Sequence, residues 1–153
     1  MAYKVFVSYS TNDFPIVDHV QSLLASPEVD VFVADYSVSP SEPLGETILQ
    51  ALRSCDLFIL LWSRNSKASE WVSQEIGVAI DQNKTILPIV LEDGLKLPGF
   101  ISNLKYLPAY RKPEESYLWL KQNILSHAQK QQQTKTLVIF GLAVAFLWLI
   151  NQK

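Results

Sequence analysis

Cysteine is almost missing from this 153-residue chain, where Cys55 stands alone. A single cysteine excludes an intramolecular disulfide framework and any cysteine-rich zinc module. The two histidines, His19 and His127, are too few and too far apart in sequence for an obvious metal cluster. Glycine is scarce at 5 residues, and no Gly-x-Gly-x-x-Gly or Gly-x-x-x-x-Gly-Lys-Ser/Thr pattern occurs. The phosphate-cradling loops of dinucleotide-binding and P-loop proteins are therefore absent. Excess positive charge is lacking too. Residues 1–128 carry 10 Lys/Arg against 15 Asp/Glu, a balance of −5, which argues against nonspecific nucleic-acid binding. The first apolar segment, Tyr3–Val7, is too short for the hydrophobic region of a secretory leader.

What the first 128 residues do contain is an alternation of two periodicities. Tyr3–Tyr9 is β-branched and aromatic and predicts a buried strand. Thr11-Asn12-Asp13 offers capping side chains, Pro15 fits a first helical turn, and Ile16, Val17, Val20, Leu23 and Leu24 follow at helical spacing. Val29–Ala34 predicts a second strand, followed by a Ser- and Pro-rich loop from Tyr36 to Leu44. Gly45–Ser54 predicts a helix with Ile48, Leu49 and Leu52 on one side, and Asp56–Trp62 a third strand apolar almost throughout. Such continuous apolar runs suit a strand covered on both faces. Glu70–Asp81 reads as a helix, Thr85–Leu91 as a fourth strand in which Pro88 marks a bulge or an edge, Lys105–Leu107 as a short fifth strand, and Glu114–His127 as a final helix. Strand–helix alternation implies an α/β fold: a flavodoxin-like, doubly wound, parallel five-stranded sheet with right-handed crossovers. Ligands of such folds sit beyond the carboxyl ends of the strands, which points to the loops after Tyr9, Ala34, Trp62 and Leu91.

The composition changes near residue 128. Residues 129–136 are polar and low in complexity, a linker or a solvated helix extension. Residues 137–150 then form a 14-residue hydrophobic helix segment without one polar side chain. It spans about 21 Å as a helix, against about 30 Å for a bilayer core. Extension from Thr134 to Gln152 brings it to about 28 Å, with Lys135 and Lys153 free to snorkel. The run is apolar on every side and Trp148 sits near one end, which favours a membrane anchor; the alternative is packing on the domain or on a second copy. Lys130 and Lys135 before the run, against Lys153 after it, place the preceding domain on the cytoplasmic side. Gly141 and Ala145 form a small-xxx-small pair that lets two such helices approach. The expected organisation is a domain at 1–128, a linker at 129–136 and a probable membrane-anchor helix at 137–150.

Five segments taken in order resemble the Toll/interleukin-1 receptor (TIR) domain family over residues 3–127. They are Val5-Phe6-Val7-Ser8-Tyr9-Ser10, Val31–Asp35 with the loop to Pro43-Leu44-Gly45, Ala51–Ser63, Ser69-Glu70-Trp71-Val72-Ser73-Gln74-Glu75, and Thr85–Ile89. One branch of that family cleaves NAD at the nicotinamide–ribose bond. The resemblance implies Glu75 as the catalytic carboxylate, and Tyr9, Trp71 and Gly45 as residues lining or closing the pocket. Asp35 and Ser10 lie where they could approach the substrate, and Asp35 could equally cap the loop that follows it. Ser10 and Thr11 stand where some NAD-cleaving members have Arg, and the loop 36–44 lacks the basic residues common there in the family.

The chemistry is consistent with these residue types. Trp71 and Glu75, at i and i+4, share one side of a helix, next to an apolar stripe of Val72, Ile76, Ala79 and Ile80. Hydrolysis of a neutral glycoside ordinarily needs a second carboxyl group to protonate the leaving group. Nicotinamide in NAD is cationic and departs neutral, so one carboxylate that steadies an oxocarbenium-like transition state suffices. Arg64 and Lys67 could meet a pyrophosphate or remain solvated loop charges. The resemblance thus implies an NAD+ glycohydrolase or ADP-ribosyl cyclase with NAD+ as substrate and no cofactor, acting through TIR–TIR self-association in prokaryotic antiphage or stress signalling, and the hydrophobic helix at 137–150 would place it at a membrane. The alternative is a noncatalytic TIR–TIR adaptor.

Overall fold

The structure is a computed structural model describing residues 2–34 and 45–151, and for 135–140, 146 and 148–151 the backbone alone. Five strands, β1 (Tyr3–Ser8), β2 (Val29–Val33), β3 (Leu57–Trp62), β4 (Ile86–Val90) and β5 (Leu107–Pro108), form one sheet in the order β2-β1-β3-β4-β5. Every pairing is parallel, with Val5 beside Val31 and Leu57, and Ser8 beside Leu60. The helices are α1 (Phe14–Leu23), α2 (Glu46–Ser54), α3 (Arg64–Lys67), α4 (Glu70–Asp81) and α5 (Pro113–Asn151). This is the parallel α/β sheet that the alternation of periodicities implies.

Side chains of a strand alternate between faces, and that alternation sorts the core into two clusters. Val5, Val7, Tyr9, Leu57, Ile59 and Leu61 pack with Val17, Val20 and Leu24 of α1 and Leu120, Ile124 and Ala128 of α5. Phe6, Phe58, Leu60 and Trp62 pack with Ile48 and Leu52 of α2 and Val72, Ile76 and Ala79 of α4. On this second face Phe32, Phe6 and Phe58 stack across three adjacent strands, with ring centroids 5.4 and 5.5 Å apart. Aromatic pairs of this kind add about 0.5–1.5 kcal/mol each beyond their burial. All six residues of β3 are buried, because it runs through the middle of the sheet with helices on both sides.

Several boundaries differ from the periodicity. The fifth strand is Leu107–Pro108 rather than 105–107, because the ladder to β4 forms only at Ile89 and Val90. That short pairing leaves the outer side of β4 open beside Pro88, which brings no N–H to a ladder, so a proline fits there. Ile80, expected in the apolar stripe of its helix, is exposed at 39%. α4 ends on Asn83 at φ 54°, with Lys84 N–H bonded to Ala79 O and Asn83 N–H to Ile80 O. This Schellman closure satisfies the last carbonyls of the helix. The Lys84 ammonium then donates to the carbonyls of Arg53 and Cys55, tying the end of α2 to the same corner.

The final helix does not stop at His127 but continues unbroken to Asn151. No Gly or Pro interrupts residues 128–136, and the Gln- and Lys-rich stretch there is made of good helix formers. Tyr3, at the start of β1, lies 6.3 Å from the His127 ring, so α5 passes the amino-terminal edge of the sheet at that point. Among the described side chains Ala128 is the last buried one, and Leu142, Val144 and Leu147 beyond it are exposed. Among the described residues no helix is long and apolar enough to cross a membrane, so the described structure does not support the expected transmembrane span.

Candidate functional site

The strand order reverses between β1 and β3: one crossover carries the chain outward to β2, the next brings it back to the other side of β1. In doubly wound folds the crevice at the carboxyl ends of such a pair is the ligand site. Ser8, Tyr9 and Ser10 stand at that end of β1, and Ser63 stands just past β3.

α4 delivers the acidic group. Ser69 caps the helix by accepting the Val72 N–H at 3.4 Å. Val72, Ile76 and Ala79 sink into the α2/α4 face of the sheet, and Glu75 falls on the same buried side. Its carboxylate is 0% exposed, and Ser8 Oγ donates to Glu75 Oε1 at 2.7 Å. Ser8 has the strand parity of Phe6 and faces α4, so the Glu75 carboxylate is held against the end of a central strand. Trp71, one turn earlier, is half-buried on the same helix.

The other expected site residues spread around this point. Tyr9 faces the opposite side, against α1, with its ring centroid 6.5 Å from that of Phe14. Its hydroxyl donates to Ala34 O at 2.6 Å and pins the ends of β1 and β2 together. Ser10 caps a 3-10 turn at Thr11–Asp13, accepting the Asn12 N–H at 3.4 Å. Gly45 is the exposed residue ahead of α2, at φ −61° and ψ 150°. Any residue adopts that conformation, and an added Cβ there would meet nothing within 4 Å, so the backbone does not require glycine. Asp35 and the loop 36–44 lie outside the described residues.

A second polar cluster escaped the sequence reading. Ser63 Oγ donates to Asp13 Oδ2 at 2.5 Å, and Asn65 Nδ2 donates to Asp13 Oδ1 at 3.0 Å. Ser63 and Ser66 exchange side-chain and backbone bonds in a capping box that starts α3. The turn after β1 is thereby bolted to the turn after β3. The Ser63-Arg64-Asn65-Ser66 spacing is a visible capping pattern, but its partner Asp13 is 50 residues away. Arg64 and Lys67, expected in a loop, belong to this short helix. Arg64 lines a shallow cleft of about 670 Å³ with Leu91, Glu92, Asp93, Tyr110 and Arg111, and its N–H donates to the Glu92 carboxylate. Among the described residues no group of His, Cys, Asp and Glu side chains is arranged to hold a metal ion.

Fold and site together define an α/β protein with a flavodoxin-like strand order and a buried carboxylate at the switch point of its sheet. Residues 5–121 match the TIR domain family, and the chain belongs to it. It is similar to a probable 2′ cyclic ADP-D-ribose synthase of Brachypodium distachyon, with 26% identity over 112 residues. That match covers 69% of this chain and 50% of the plant protein, so the chain spans about half the length of this relative. Among solved structures it resembles the TIR domain of the Toll-related receptor TRR-2 from Hydra magnipapillata, with a TM-score of 0.61 and 18% identity over 84% of this chain and 99% of that one. The TIR domains of the activated Roq1 resistosome are also similar, with a TM-score of 0.50 and 14% identity over 84% of each chain. These two likenesses show the fold.

Proposed function

We propose that this TIR domain cleaves NAD+ at the nicotinamide–ribose bond, with Glu75 as the carboxylate that steadies the developing positive charge. The observation that carries the reading is a fully buried glutamate, hydrogen-bonded to Ser8, beyond the carboxyl end of a central strand. A carboxylate withdrawn from water interacts strongly with a cationic sugar. As the C–N bond breaks, its electron pair leaves with nicotinamide, which departs neutral. Water, or a nucleophile of the same substrate molecule, then attacks the anomeric carbon to give ADP-ribose or a cyclised product. The similarity to a probable 2′ cyclic ADP-D-ribose synthase supports a cyclising outcome.

Complete burial also means that turnover requires an opening beside Glu75. Self-association of TIR domains is the proposed trigger, and the apolar end of α5 is the proposed tether that concentrates them at a bilayer. The test is mass spectrometry of the products formed when concentrated, purified full-length chain is incubated with NAD+, beside Glu75→Ala. Nicotinamide release that depends on Glu75 supports the reading; release that survives the substitution ends it. Flotation of the chain with liposomes tests the tether, and recovery of the protein entirely in the lipid-free fraction rejects it.

The same burial favours a second reading, a noncatalytic adaptor in which Glu75 fixes α4 to the sheet. An absence of nicotinamide at every protein concentration, with self-association intact, selects it.

A further inference from the structure

We propose that Ser8 is a positioning residue for Glu75: a hydroxyl fixed by the sheet sets the orientation in which the carboxylate meets the ribose. This rests on the reading of Glu75 as catalytic. Ser8 is the last residue of β1, the strand paired on both sides, and lies in register with Leu60 of β3. Its backbone therefore has little freedom, and its side chain is 0% exposed. The hydroxyl donates to Glu75 Oε1 at 2.7 Å across 67 residues of sequence. An ionised carboxylate is an acceptor only. A donor at this position favours one rotation of the carboxyl group about its terminal bond, a torsion that is otherwise broad. Without that bond the carboxyl group loses a donor that sets this rotation, and charge stabilisation in the transition state, which depends on donors and charges held in place beforehand, weakens. Ground-state binding of NAD+ draws on other parts of the dinucleotide and is unaffected. Ser8 touches no substrate atom in this account and acts through Glu75.

The experiment compares kcat and KM for nicotinamide release by the full chain and by Ser8→Ala, Ser8→Thr and Glu75→Gln, with the folded fraction of each measured at the assay temperature. Hydrogen bonds to charged groups contribute about 1.5–3 kcal/mol. The expected loss in kcat for Ser8→Ala is therefore about 10- to 150-fold at unchanged KM, corrected for folded protein. Ser8→Thr keeps the hydroxyl and recovers most of the loss. If Ser8→Ala does not fold, Ser8→Cys, of nearly the same shape and with a weaker donor, is held to the same criterion. The proposal is overturned if kcat of Ser8→Ala stays within twofold of the parent while Glu75→Gln is inactive, or if Ser8→Thr loses as much as Ser8→Ala. Activity retained in Glu75→Gln would instead reject the catalytic reading itself.

Discussion

Glu75 is fully buried and Ser8 donates to it, so removing both partners at once separates a pair kept for function from one kept for stability. The perturbation is the double variant Ser8→Ala/Glu75→Met. Methionine has a length close to glutamate and is apolar, like Val72, Ile76 and Ala79, which α4 buries in the same face of the sheet. Withdrawing an ionised carboxylate from water costs several kcal/mol, and replacing buried charge by well-packed apolar groups is often neutral or stabilising by about 1–4 kcal/mol. One hydrogen bond from Ser8 returns about 1.5–3 kcal/mol of that cost. The double variant should therefore equal or exceed the parent in stability. Single Ser8→Ala strips a buried carboxylate of a donor and should lose about 1–3 kcal/mol. Urea unfolding at unchanged slope reads the difference, and thermal unfolding reads it at roughly 2–4 °C per kcal/mol. Nicotinamide release should vanish in the double variant. A double variant less stable than the parent by more than about 1 kcal/mol would refute the reasoning, because the carboxylate would then be a member of the scaffold.

Other consequences follow from the same structure. Ser63→Ala removes the bond to Asp13 and the cap of α3 together, and should lower the urea midpoint by the equivalent of about 2–4 kcal/mol. Leu52→Ala, at a fully buried position between α2 and the sheet, should cost about 2–5 kcal/mol in the same assay. A chain ending at Gln133 should melt within about 2 °C of the full chain, since Ala128 is the last of the described side chains in the core. Burial raises the pKa of the Cys55 thiol and of the Tyr3 and Tyr117 phenols above their ordinary values. Between the unfolded and folded values the native state binds more protons, so stability is complete below about pH 9 and falls as pH rises further. Urea midpoints from pH 7 to 10.5 check this, and a midpoint that rises across that range contradicts it.

Much of the scaffold was legible because its signals are local. Val5-Phe6-Val7 and Leu57–Trp62 are too continuously apolar for half-exposed strands, and both lie in the interior of the sheet. The helix at 70–81 follows its capping serine, and its bounds match the expectation at both ends. The fifth strand was misplaced because two residues of pairing carry almost no periodic signal. The continuity of α5 stayed open because a polar stretch of good helix formers looks the same whether it is a linker or a helix without neighbours. Ser63 and Asp13 were missed as a pair because each alone reads as a local cap.

The sequence by itself determined the alternation of strands and helices, the two buried faces, and the presence of one Trp-x-x-x-Glu helix with no metal-ligand or phosphate-loop motif beside it. These follow from periodicity and residue type, which are properties of neighbours along the chain. Only the tertiary structure decided that Ser8 meets Glu75, that Tyr9 turns to the other face, and that Asp13 locks Ser63. Those contacts join residues 25 to 67 positions apart. They exist only because the parallel crossovers bring the ends of β1, β2 and β3 to one edge, with α4 laid across it.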